Sequence, residues 1–246
     1  MASPQLCIYC GIRPGIESEH VIGKVFYAVR PKNGITVPSC PACNRGRGDG
    51  GLHDLHLDEE YMRNILCLTS LGRFEHPVAE VLAETNVARS IHRRRGSFRR
   101  KLLRSIGHTE RPNKEGILEA YTSPFIRPDF SRFQRVLRKI TRGLYYRVVN
   151  GRLPDDYAVL VNPFVKPDQL PNMIDRLRSD VFADLQAADE YEVFKFMPLM
   201  KGESHTEWLM LFYNWAVFHT WTLPKAEVMP GDTGMPYVSP FKLDLI

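Results

Sequence analysis

The chain has 246 residues, 43% of them hydrophobic, and a formal net charge of +5, which allows a buried core in one or two domains. No run reaches the roughly 18 apolar residues of a membrane-spanning helix, and Cys7 to Cys10 occupy the place of a signal peptide's apolar region, so a cytoplasmic protein without membrane contact is expected. The charge is uneven: residues 89–147 carry 17 Lys and Arg against 4 Asp and Glu, a surplus of 13, while residues 148–246 carry 8 against 14. A polyanion is expected to dock on the basic block.

In chain order, the first signal is Cys7-x-x-Cys10, repeated as Cys40-x-x-Cys43. Each pair has the bite of a zinc knuckle, and without an export signal four such thiols read as structural Zn²⁺ ligands rather than disulfides. Between the knuckles a hairpin-like stretch is expected around Val21 to Val37, preceded by Glu19 and His20. The second knuckle leads into a helix, with Asn44 directly after Cys43. Asp58 is expected to cap a helix from Glu59 to Leu71, where Tyr61, Met62, Ile65, Leu66 and Leu68 recur at helical spacing. Cys67, the fifth cysteine, is expected to be buried there.

Further helices are expected over 77–84 and 86–105. The second contains Arg93, Arg94, Arg95, Arg99, Arg100, Lys101 and Arg104, interleaved with Ile91, Phe98, Leu102 and Leu103. Clustered guanidiniums suit phosphate binding. Gly and Pro punctuate 107–129, which reads as a linker. Beyond it, Phe130, Phe133, Val136, Leu137, Ile140 and Leu144 mark one face of an amphipathic helix, with Arg132, Arg135, Arg138, Lys139 and Arg142 covering the rest. Strands are expected at Tyr157–Val161 and Tyr191–Phe196, a helix at Met173–Leu185, and a hairpin of Glu207–Tyr213 with Ala216–Leu223 around Asn214. The aromatic residues of that hairpin read as core or interface.

Taken together, Cys7-x-x-Cys10, Ser18-Glu19-His20-Val21-Ile22 and Val37-Pro38-Ser39-Cys40-x-x-Cys43-Asn44-x-x-Arg47-Gly48-Asp49 resemble the HNH endonucleases of the ββα-metal class, in the variety stapled by a four-cysteine zinc. The resemblance covers roughly residues 5–60. It implies His20 as the general base, Glu19 and Asn44 as ligands of a catalytic Mg²⁺ or another divalent cation, and Arg47 facing the phosphate backbone. The chemistry agrees: phosphodiester hydrolysis needs a deprotonated water and neutralisation of phosphoryl charge. One departure is evident. The family has an asparagine five residues before the third cysteine to orient the base, and Ile35 stands there; Asn33, two residues earlier, is the only nearby substitute.

The expected architecture is α+β. It comprises a zinc-stapled ββα-metal (treble-clef-like) domain at 1–60, a basic helical region at 61–106, the linker at 107–129, and an α+β domain with antiparallel strands at 130–246. The expected activity is metal-dependent cleavage of DNA, in restriction, phage defence or a mobile element, with a homodimer open. Two alternatives use the same residues: a noncatalytic zinc-finger nucleic-acid-binding protein, in which Glu19-His20 is an ordinary pair and Asn44 a helix cap, and an RNA-cleaving enzyme. His53 and His56, near Asp49, Asp54 and Asp58, offer an alternative metal cluster.

Overall fold

The computed structural model describes residues 5–44, 55–70, 76–92, 100, 106–112, 118–126, 128–162, 186–201, 205–228 and 241–242. Helices and antiparallel sheets are mixed along the chain. Near the N-terminus, β1 (Glu17–His20) pairs antiparallel with β2 (Thr36–Ser39), Glu17 opposite Ser39 and His20 opposite Thr36. A 3₁₀ turn at Lys24–Phe26 lies between them, and the short helix α1 (Pro41–Asn44) follows. Strands of this length are marginal alone. Burial of Val21, Ile22, Phe26 and Val37 holds the hairpin to the rest of the molecule.

Helix α2 (Leu55–Ser70) begins before Asp58, so Asp58 does not cap it as expected. Its carboxylate is instead gripped by two guanidiniums, with Arg132 Nε donating to Oδ1 at 2.5 Å and Arg135 Nε to Oδ2 at 2.6 Å. A buried carboxylate with two cationic donors gains more than one capping hydrogen bond supplies. Cys67 is fully buried in this helix, as expected.

The two helices expected at 77–84 and 86–105 meet without a break. Helix α3 (Pro77–Leu82) passes through a π turn (Ala83–Val87) into α4 (Ala88–His92). His76 accepts from Val78 N at its start, and Pro77 occupies a first-turn position where its missing N–H is harmless. Where a linker was expected, β3 (Ile106–Pro112) pairs antiparallel with β4 (Leu118–Ile126), the register shifting between Thr109 and Arg111. Glycine and proline fit a short, bulged ribbon as well as a linker.

Helix α5 (Phe130–Val149) is the central rod. Its residues Phe133, Val136, Leu137, Ile140 and Leu144 are fully buried, and it ends at Asn150, whose φ of 56° is the left-handed conformation that closes helices. The remaining strands are β5 (Tyr157–Asn162), β6 (Gln186–Ala187), β7 (Phe194–Lys201), β8 (His205–Phe212), β9 (Ala216–Pro224) and β10 (Phe241–Lys242). They form a five-stranded sheet in the order β5-β9-β8-β7-β6, with β10 added to β4. The expected strand at Tyr191–Phe196 starts later, because Glu192 adopts φ 54° in a turn. Tyr213 and Asn214 both have positive φ, giving the β8–β9 turn the primed geometry that hairpins favour. The helix expected at Met173–Leu185 lies outside the described residues.

Helix α5 lies on this sheet through Phe133 against Phe218 and a Thr141–Thr220 hydroxyl pair at 2.8 Å. Trp208, Phe212, Tyr213 and Phe218 are fully buried, so the aromatic hairpin serves the core. One hydrophobic cluster runs from Ile8 to Phe218, joining the N-terminal hairpin, α2, α5 and the sheet. Among the described residues no helix is long and apolar enough to cross a membrane.

Candidate functional site

Cys7, Cys10, Cys40 and Cys43 bring their sulfurs within 4.8 Å of one another, with Cys10 and Cys40 3.9 Å apart. A tetrahedron with Zn–S bonds of about 2.3 Å has sulfur–sulfur edges of about 3.8 Å, so the donor set fits a zinc-sized ion. Burial acts to raise the Cys10 thiol, but hydrogen bonds at Ile12, Arg13, Cys7 and Cys40 outweigh it and bring it down to about 7, whereas burial and the neighbouring sulfurs push the Cys43 thiol up. The thiolate is the ligand form. The first knuckle turns at Gly11, φ +64°, and the Arg152 guanidinium lies where a Cβ at Gly11 would project.

Successive residues of a strand face opposite sides. On β1, Glu17 and Glu19 share the side turned towards α1 and α5. Glu19 is only 6% exposed, and its Oε1 forms an ion pair with Lys139 Nζ. The same ammonium reaches Glu59 Oε1 on α2 at 2.7 Å. Glu59 lies so close to Gly23 that any side chain there would collide with its carboxylate. Glu19 Oε2 and the Tyr9 hydroxyl are buried with no hydrogen-bond partner among the described residues.

Two buried carboxylates therefore share one ammonium. Burial pushes the Glu19 carboxyl up to about 7; Lys139 opposes this, and Glu59 and Glu17 add to it. Burial disfavours the charge on Lys139, but Glu59, Tyr9 and Glu19 hold it above its ordinary value. The folded state thus binds the Glu19 proton more tightly than the unfolded chain does. That stabilisation is complete below about 4.5 and is lost as pH rises towards about 7. Denaturant unfolding over this range in magnesium-free buffer should show wild type losing stability relative to Glu19→Gln as pH rises. Loss at low pH of any metal held by the cysteines is common to both proteins, so their difference isolates Glu19.

His20 occupies the other side of β1. Its Nδ1 is buried without a hydrogen-bond partner among the described residues, and a Cβ at Gly34 would lie 3.1 Å from it. Burial and then the charges of Lys24, Arg30 and Lys139 hold the imidazole below its ordinary value, which favours its neutral form. Asn33 makes no hydrogen bond to the buried His20 Nδ1. Its backbone N–H and that of Lys32 are held by Glu190, at 3.2 and 2.7 Å.

Asn44, at the end of α1, donates from Nδ2 to Glu17 Oε2 at 2.8 Å. Glu19, His20 and Asn44 therefore lie on one hairpin-and-helix unit, but no hydrogen bond joins them. The four cysteines are the only cluster of three or more His, Cys, Asp or Glu ligand atoms among the described residues. Of the other expected residues, Arg47, Arg93, Arg94, Arg95, Arg99, Lys101, Arg104 and His53 lie outside the described residues. Arg100 is helical and exposed, and so is His56.

Lys139 and Glu59 were not legible as site residues. Arg132, Val136, Lys139 and Gly143 follow one helical stripe that faces inwards: Arg132 and Lys139 are buried, and a Cβ at Gly143 would meet Val21 at 2.6 Å. Charges interrupting an apolar stripe were the available signal. Arg138 and Arg142 of α5 are also engaged internally, with Val159 O at 3.2 Å and Tyr9 O at 3.3 Å, while Arg147 in its last turn is exposed. Comparison with protein-family models, curated proteins and solved structures returned no match.

Proposed function

We propose that this protein is an HNH-type, metal-dependent endonuclease that hydrolyses DNA phosphodiesters, its N-terminal unit a zinc-stapled ββα-metal fold. The observation that carries this reading is His20, whose imidazole has a buried, unpartnered Nδ1, on a hairpin flanked by the two CxxC pairs. His20 is the base that takes a proton from water. The buried, unpartnered Oε2 of Glu19 is the oxygen available to a hard divalent cation, and Asn44 is the second residue that would hold it. Such a cation would neutralise charge on the phosphoryl group and leaving oxygen. Lys139, already paired with Glu19, competes for that carboxylate. Arg47 and the cations from Arg93 to Arg104 supply backbone contacts to DNA.

A second reading, a noncatalytic zinc module that binds nucleic acid, is favoured by three observations: Lys139 holds Glu19, Glu17 holds Asn44, and His20 occupies the side of β1 opposite Glu19. The two readings separate on plasmid DNA incubated with Mg²⁺ or Mn²⁺. Wild-type protein should cleave, and folded, zinc-replete His20→Ala should be slower by about 10²–10⁴-fold. Binding without cleavage of DNA or RNA under any cation establishes the zinc module; cleavage of RNA alone reassigns the substrate.

A further inference from the structure

A cavity of about 360 Å³ opens between the 3₁₀ turn, α2 and the α3–α4 rod. Lys24, His56, Arg63, Asn86 and Arg89 supply its polar lining, with Glu60 as the single acid and Val25 and Tyr27 as an apolar wall. Lys24, Arg63 and Arg89 against Glu60 leave a surplus of two positive charges. Arg63 is the telling residue. It is only 4% exposed, yet its Nε has no hydrogen-bond partner among the described residues, and its nearest acid, Glu60, is 3.6 Å away. Its Nη1 is fixed to Val25 O at 3.2 Å. A buried guanidinium held in place with an unmet donor is built to receive an anion.

Two features fit a phosphate. The π turn at Ala83–Val87 carries Asn86, which lines the cavity, and Arg89 follows within one turn of helix. Such bulges redirect side chains and recur at functional sites. Lys24, four residues after His20, belongs both to this cavity and to the charges acting on His20.

We propose that this cavity is a phosphate-binding site. Given the nuclease reading, on which the choice of source rests, it holds a backbone phosphate of the nucleic-acid strand beside the one approached by His20. Lys24 and Arg89 are exposed and screen the charge, while Arg63 fixes its position.

The test uses zinc-replete full-length protein, without catalytic cation, titrated separately with a single-stranded DNA oligonucleotide, inorganic phosphate and a nucleoside monophosphate. Lys24→Gln/Arg89→Gln, both at exposed positions, should weaken oligonucleotide binding about tenfold or more and reduce its salt slope by about 1.4. Inorganic phosphate should compete. Tight binding of phosphate or the monophosphate that is lost in the double variant, with no such effect on the oligonucleotide, keeps the site and assigns it to a free phosphate compound. A folded double variant with unchanged affinity for all three overturns the proposal. His20→Ala separates the two readings: pocket-dependent binding without wild-type cleavage sinks only the nuclease, and His20-dependent cleavage indifferent to the pocket sinks only the phosphate site.

Discussion

Replacing Cys40 with Ser should abolish metal binding at the four-cysteine cluster, expected at about one zinc-sized ion per chain, and lower the thermal midpoint more than any other single substitution considered. Cys40 is fully buried, and its sulfur lies 3.9 Å from that of Cys10 in the opposite knuckle. The two knuckles close the segment that contains β1 and β2, strands of four residues each, which backbone pairing alone cannot hold. Structural zinc supplies on the order of 10 kcal/mol of apparent binding free energy to small domains. Hydrogen exchange should therefore show β1 and β2 opening first, with α5 and the five-stranded sheet protected longest. A wild-type midpoint and metal content in Cys40→Ser would exclude the tetrathiolate site.

Lys139→Met should be the next most damaging change, lowering stability by about 3–5 kcal/mol, the range for removing one partner from a buried ion pair. Methionine fills much of the same volume, so the loss reports charge rather than packing. Glu19 and Glu59 would remain buried without their shared ammonium. Adding Glu19→Gln and Glu59→Gln should restore most of the stability, because a neutral triad no longer needs the lysine. Urea unfolding of the single and triple variants checks this; equal loss in both would mean that Lys139 acts through shape. Lys139→Met also frees the Glu19 carboxylate, so apparent affinity for Mn²⁺ should rise wherever the variant remains folded.

What the sequence made legible was local. The CxxC pairs identify their own ligands, and the apolar face of α5 is written in one helical period: Phe133, Val136, Leu137, Ile140 and Leu144 are all buried. The Glu19–Lys139–Glu59 arrangement was hidden because it joins residues 120 and 80 positions apart, and no local pattern reports pairing at that range. The same limit misassigned the α5 cations. Periodicity assigns the apolar face but not which charges sit on its margin, where Asp58, Glu19 and Glu59 wait on other elements. The 107–129 segment misled for a different reason. Its glycines and prolines signal bends, and a bulged β ribbon bends as a linker does.

The ties between the first forty residues and the distant part of the chain bear on how this protein can be divided. Tyr27 donates to Asp189 at 2.9 Å, Glu190 grips the amides of Lys32 and Asn33, and Tyr213 donates to Phe26 O at 2.9 Å. The loop between β1 and β2 is therefore tied to residues 189–213, far along the chain. Arg63 on α2 also holds this loop, Nη1 donating to Val25 O at 3.2 Å, so the ties to Asp189, Glu190 and Tyr213 add to anchors nearer in the chain. A fragment cut before residue 189 would keep the four cysteines but lose these ties to the loop beside His20.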